Sequence, residues 1–224
     1  MTVPQTILIL GAGNVGRALG TGWLAAGHDV RWGVLDPADA KHDDLTKTRV
    51  QAATELRGAA IVVLAVPYAQ AVPALAGLGD TRDAIVIDCT NPLHMGSGGL
   101  ELATGHSDSG AETIARAVPI ATVFKAFNQT GAENMDGRRR YEPTPMMMVA
   151  GDDEARKPLV LALAADLGFE PVDAGPLSAA RLLEPLALLW IELAMKRGHG
   201  REFAFAQIHL TPTVPSALSQ GIQS

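Results

Sequence analysis

An α/β fold, with a doubly wound parallel sheet followed by a small C-terminal α/β domain, is predicted by three features of the sequence. Short apolar runs recur at 7–10, 61–65 and 84–88, and the first is unbroken, as in strands buried on both faces. Helical patterns separate these runs, and such alternation builds a parallel sheet with helices on both sides. Glycines at 11, 13 and 16 join the first run to the first helix.

The first strand, Ile7 to Leu10, enters Gly11-Ala12-Gly13-Asn14-Val15-Gly16, a Gly-x-Gly-x-x-Gly turn. Gly11 permits the tight turn, Gly13 lets the backbone approach a pyrophosphate, and Gly16 allows the helix to pack closely on the strand. The helix at 14–26 carries Val15, Ala18, Leu19, Gly22, Trp23 and Ala26 on one face, and Gly27 ends it. Its N-terminus offers unpaired amides and a positive dipole end, an anion site that needs no basic side chain. A glycine-rich turn without a ligand is the bland alternative. The placement between strand and helix favours a dinucleotide, and with it the Rossmann arrangement.

A strand at 29–34 follows, then helices at about 37–47 and 51–56, a strand at 61–65, a helix at 69–75 and a strand at 84–88. Residues 91–109 are rich in Gly, Ser, Thr and His without periodicity and read as a long loop. It leaves the carboxyl edge of the sheet, where open α/β folds bind ligands. Next come a helix at 111–117, a strand at 122–127, a short helix at 131–134 and a strand at 146–150. Gly151-Asp152-Asp153 reads as a turn and cap for a helix running to Leu167, before a strand at 169–173. An extended stretch at 202–210 precedes a polar end at 211–224. The expected division is a Rossmann domain over 1–127 and a smaller domain over 128–224 that serves substrate and dimer contacts.

Composition excludes several classes. Hydrophobic residues make up 47% of the 224 positions, which supports a sizeable core, and the net charge of −6 argues against nucleic acid as a partner. Cys89 is the single cysteine, so neither a disulfide framework nor a multi-cysteine metal site is expected, in keeping with a reducing cytoplasm. The first strand begins too early to leave room for a signal peptide, and the longest apolar tract, 182–195, is broken by Glu184, Pro185 and Glu192, so no membrane span is expected. That tract is apolar nearly all round, which calls for cover beyond one core-facing stripe. A second protomer is the expected cover; a substrate pocket and the chain itself are the alternatives. Arg138-Arg139-Arg140 reads as a solvated loop.

Six segments resemble one family, the deazaflavin (coenzyme F420)-dependent NADP oxidoreductases with their bacterial relatives. They are Gly11 to Gly16, Ala65-Val66-Pro67-Tyr68, Thr90-Asn91-Pro92, Ser109-Gly110-Ala111-Glu112, Val123-Phe124-Lys125-Ala126-Phe127-Asn128 and the run from Asp173 to Arg181. The resemblance implies a Rossmann domain with a small C-terminal domain, NADP as cofactor, F420 or a flavin as co-substrate, and a homodimer. It places Ala65, Val66 and Pro67 along the cofactor, Asn91 and Pro92 beside the reacting ring, and Asn128 near hydride transfer. Ordinary readings stand beside these: Val66-Pro67 as a strand end, Asn91-Pro92 as a turn, Asn128 as a strand cap.

One departure concerns cofactor choice. Many relatives carry an arginine after the second strand for the 2'-phosphate of NADP, whereas this chain reads Gly33-Val34-Leu35-Asp36-Pro37. Leu35 cannot pair with a phosphate, and Asp36 would repel one while suiting a ribose 2'-hydroxyl. Weakened preference for NADP, with NAD use open, is the expectation; Asp36-Pro37 also fits a helix start.

No Ser-His-Asp order, His-Glu-x-x-His motif or carboxylate pair is found, and no metal site is expected. His28, His42, His199 and His209 read as surface or loop residues, while His94 and His106 flank the polar loop. Lys125 is either an acid toward a carbonyl or imine, or a strand-end lysine reaching solvent. Three functions follow: hydride transfer between a nicotinamide and a deazaflavin or flavin, reduction of a small carbonyl or imine compound, and dinucleotide sensing without turnover.

Overall fold

The computed structural model describes residues 2–46, 49–79, 81, 83–119 and 121–210. Strand β1 (Thr6–Leu10) lies in the interior of the sheet, and helix α1 (Asn14–Ala25) returns the chain to β2 (Asp29–Val34), parallel to β1. Short strand β3 (Val50–Ala52) adds outside β2. On the other side follow β4 (Ile61–Leu64), helix α2 (Tyr68–Gly77), β5 (Ile85–Asp88), helix α3 (Gly110–Ala117) and β8 (Thr122–Lys125), all strands parallel. Between β5 and α3 a small hairpin, β6 (Leu93–Gly96) and β7 (Gly99–Leu102), stands apart from the main sheet.

The sheet then continues. Strand β9 (Met146–Gly151) pairs antiparallel with β8, helix α4 (Lys157–Asp166) follows, and β10 (Glu170–Asp173) lies parallel to β9 at the edge. The eight-stranded order is β10-β9-β8-β5-β4-β1-β2-β3, and helix α5 (Ala180–Lys196) closes the fold. The strands from β3 to β8 form the doubly wound arrangement, with its switch point between β1 and β4.

Strand alternation divides the core in two. Ile7 and Ile9 of β1 face one side with Leu19 and Trp23 of α1 and Val160, Leu163 and Ala164 of α4. Leu8 and Leu10 face the other, with Ala71 and Leu75 of α2 and Ile114 of α3. Trp23 spans the first layer: its indole donates to the Leu163 carbonyl at 3.0 Å and its ring meets Phe127 edge-on at 5.5 Å.

Several expected elements are corrected. Residues 37–46 form no α-helix but a 3-10 turn, Ala40–His42, and Lys47, the expected helix end, lies outside the described residues. Gln51 belongs to β3 rather than to a helix, because its strand finds a ladder on Trp32, Gly33 and Val34. The expected loop at 91–109 contains the β6–β7 hairpin. His28 and His42 are buried rather than exposed: His28 accepts from the Gln5 amide and faces Asp166, and His42 packs within the turn after β2. The polar end at 211–224 lies outside the described residues. Among the described residues no helix is long and apolar enough to cross a membrane.

Candidate functional site

The turn after β1 is shaped by what a side chain would strike. Gly11 adopts φ +101°, and a Cβ there would lie 2.6 Å from the Ala65 carbonyl oxygen. A Cβ on Gly16 would lie 2.1 Å from the Gly11 oxygen, so both glycines answer to close packing. Gly13 differs: a Cβ there meets no atom within 4 Å and would project into open space at the cleft. Gly13 also caps α1 without a side-chain hydrogen bond, and the first turn of α1 holds no acid. The helix therefore presents unneutralised amides to the cleft, and this cradle fits a diphosphate.

The cleft encloses about 580 Å³ at the carboxyl edge of β1, β2 and β4. Gly11, Ala12 and Gly13 form its floor; Val34, Leu35, Ala53 and Thr54 form one wall, and Val66, Pro67 and Gln70 the other. Its basic side chains are Arg17, Lys41 and His42, which the sequence reading did not assign to a ligand. Arg17, one turn into α1, ties the glycine turn to the segment after β2. Its Nε donates to the Ala12 carbonyl at 2.7 Å, and its outer nitrogens reach the Lys41 carbonyl at 2.6 Å and Asp44.

Of the expected cofactor residues, Gly11, Ala12, Gly13, Val34, Leu35, Val66 and Pro67 meet in this cleft. Asn14 and Val15 lie in the first turn of α1, Gly16 is buried beneath it, and Ala65 sits behind Gly11. Leu35 is 100% exposed. Asp36 does not line the cleft: its Oδ1 accepts from the Ala38 amide at 2.9 Å, so the carboxylate closes its own loop. Arg31 points away as well, bonded to Asp29 and the Arg57 carbonyl.

Farther along the same edge stand Asn91 and Asn128. The order β2-β1-β4-β5-β8 puts four strand intervals, ~19 Å, between the segment after β2 and the segment after β8. Asn91 Nδ2 donates to the Asn128 carbonyl at 3.2 Å, and Asn128 Nδ2 donates to Asn91 Oδ1 at 3.0 Å and to the Leu183 carbonyl at 3.1 Å. Phe127, with φ +59°, turns the chain into Asn128, a left-handed conformation that costs about 1–3 kcal/mol at a bulky residue and that its complete burial maintains. Pro92 packs near Gly110 at the start of α3.

Lys125 is 0% exposed. Its ammonium reaches Asp88 Oδ2 at 2.8 Å, the Thr90 carbonyl at 2.5 Å and Glu184 Oε1 at 3.0 Å, which occupies all three N–H bonds. Burial alone would lower its pKa, but the carboxylates of Asp88 and Glu184 outweigh that and hold the ammonium above its ordinary value. The lysine reaches neither solvent nor an open site, which corrects both expectations for it. Glu184, read in the sequence only as a break in an apolar run, is the partner that was missed. Burial pushes the Cys89 thiol up, leaving it protonated and inert. Of the two histidines flanking the polar loop, His94 is exposed beside Glu101, while His106, at φ +56°, lines a separate groove with Arg181 and Leu182. Among the described residues no group of three or more His, Cys, Asp or Glu side chains could hold a metal ion.

With this geometry in place, comparison with known proteins decides the family. A family model described as "NADP oxidoreductase coenzyme F420-dependent" matches residues 6–92. A solved structure of a candidate F420-dependent NADP-reductase from Arthrobacter sp. FB24 is 31% identical, covers 92% of this chain and 100% of its own, and superposes with a TM-score of 0.82. The chain belongs to the F420-dependent NADP oxidoreductase family. Family membership makes it a relative of pyridine-nucleotide oxidoreductases, and the glycine cradle and its cleft are the parts that membership explains. Metalloreductase STEAP3 of Rattus norvegicus is 29% identical over 184 residues, 81% of this chain; the chain spans 36% of the length of that protein. An imine reductase from Aspergillus terreus, solved with NADPH4, shares the fold at 17% identity and a TM-score of 0.60, over 88% of this chain and 64% of its own.

Proposed function

We propose that this chain binds NADP across the carboxyl edge of its sheet and passes hydride between the nicotinamide and a deazaflavin or flavin. One observation carries the reading: the Gly13 amide cradle, empty of side chains, opens onto a 580 Å³ cleft at the sheet's switch point. The dinucleotide supplies the hydride. The chain's residues do the rest: the turn from Gly11 to Gly16 holds the diphosphate, Val66 and Pro67 bound its path, and Asn91 orients the reacting ring, with Asn128, whose own amide is fully bonded to Asn91, Leu183 and Gln129, positioning it.

Transfer between two stacked rings asks mainly for alignment and exclusion of water. The nicotinamide end suits that demand, because its strongest acid-base candidate, Lys125, is sealed within an ion cluster. Reduction of a carbonyl or imine needs a proton donor at the reacting atom, and Lys125 has no proton free to give. We propose a homodimer in which residues 128–224 supply the second surface, since Leu182, Leu189 and Met195 of α5 are exposed.

The test is a panel of acceptors mixed with the protein and reduced nicotinamide. Oxidation of the nicotinamide by a deazaflavin or flavin supports the proposal. Oxidation by small carbonyl or imine compounds alone favours the reductase reading, and binding without turnover favours a sensor.

A further inference from the structure

Helix α5 carries two apolar seams, and its own chain covers one of them. Leu183, Ala187, Trp190 and Ala194 are buried, at alternating spacings of four and three residues. One position earlier in each case, Leu182, Leu186, Leu189 and Leu193 repeat that spacing on the outer side. Leu182 is 73% exposed and Leu189 49%, while Leu186 and Leu193 are partly buried.

Alternation of four and three is the narrow stripe with which one helix meets another, each side chain entering a gap between side chains of its partner. The outer seam therefore fits a helix of the same periodicity. Among the described residues no helix other than α5 exposes a large apolar side chain, so the matching seam that this chain can offer is a second α5. Room for it exists at the N-terminal half of the seam, where a groove of about 630 Å³ separates Leu182 and Pro185 from Leu102, Ala103 and His106.

The inner side of the same turns holds the reacting end. The Leu183 carbonyl accepts from Asn128 Nδ2 at 3.1 Å, and Glu184 joins Lys125 to the first amides of α3. Anchoring the outer seam thus anchors the residue that positions Asn91.

We infer that α5 packs on α5 of a second copy along Leu182, Leu186, Leu189 and Leu193, across a two-fold axis, and that this pairing steadies the turn bearing Asn128. The inference rests on the homodimer proposed above and names its contact and its effect on the site.

Sedimentation equilibrium at micromolar concentration measures the mass of the full chain, and amide hydrogen exchange follows residues 126–131. The 23.4 kDa wild type is expected at twice its chain mass. The double variant Leu182→Glu, Leu189→Glu, and the milder Leu189→Gln, change exposed positions and are checked for folding by circular dichroism. Both are expected to shift toward monomer, with exchange over 126–131 about tenfold faster in the monomer, while Leu189→Met stays dimeric. A dimer that survives the glutamate and glutamine changes overturns the inference and leaves the homodimer standing. Equal exchange in monomer and dimer overturns the effect on the Asn128 turn. A monomeric wild type defeats both the inference and the homodimer, and leaves the cofactor cleft untouched.

Discussion

The ammonium of Lys125 in β8 lies 3.0 Å from Oε1 of Glu184 in α5, and both side chains are buried. The same glutamate accepts from the Gly110 and Ala111 amides at 2.9 and 3.1 Å, so the start of α3 is neutralised by the chain's own carboxylate. Asp88 completes the cluster and also receives the amide and hydroxyl of Thr90, next to Asn91. Sheet, α3, α5 and the turn bearing Asn91 are thereby fixed to one buried cation.

Replacing that cation leaves two carboxylates without their counter-ion. Lys125→Met is expected to destabilise the fold by about 3–5 kcal/mol in denaturant unfolding. Adding Glu184→Gln removes one stranded charge and is expected to restore part of the loss. A Lys125→Met protein as stable as the wild type would show that the cluster contributes nothing.

The pair of Glu112 and Arg181 gives an acid-sensitive link between α3 and α5. Its nitrogens reach the carboxylate at 2.6 and 2.9 Å, and the Arg181 hydrogen bonds hold Glu112 below its ordinary value of 4.5. A carboxyl with a lowered folded pKa contributes stability in full above its unfolded pKa and loses it as pH falls through the folded one. The melting temperature of the wild type should therefore exceed that of Glu112→Gln by a constant margin from pH 7 down to about 5, and the margin should shrink below about pH 4. A margin that is the same at pH 3 and pH 7 contradicts the assignment.

The two asparagines make a kinetic prediction. Asn128→Ala removes the donor to Asn91 Oδ1 and the Leu183 carbonyl without touching the glycine cradle. Turnover is expected to fall about ten- to a hundredfold, through misplacement of the reacting ring, with NADP affinity nearly unchanged. An affinity loss as large as the rate loss would move Asn128 out of the reacting end.

Parts of this design are local and could be seen in the sequence. The strand from Ile7 to Leu10, the three glycines and the face carrying Leu19 and Trp23 need only neighbours along the chain, and they form as expected. Strand β3 could not be seen, because Gln51-Ala52-Ala53 has helical composition and becomes a strand only by pairing with residues of β2. The hairpin β6–β7 had signals, the turn Gly96-Ser97-Gly98-Gly99 and the alternation of Leu93-His94-Met95 and Leu100-Glu101-Leu102, but its strands are only four residues each and lie outside the main sheet. His42 and Glu184 were hidden for another reason. Burial of a single polar residue depends on distant chain, so a histidine in a polar loop and a glutamate in a leucine run look like surface or interruption until the fold surrounds them.

The central claim is that the turn from Gly11 to Gly16 cradles a dinucleotide diphosphate, and Gly13→Ala isolates it because the added methyl meets no protein atom within 4 Å. Calorimetric titration of NADPH into wild type and Gly13→Ala, alongside their thermal melts, is the direct measurement. The account predicts clear binding to the wild type, an affinity loss of about tenfold or more in the variant, and melting temperatures alike within roughly 2 °C. Equal NADPH affinity in the two proteins, or no heat from the wild type, would contradict it.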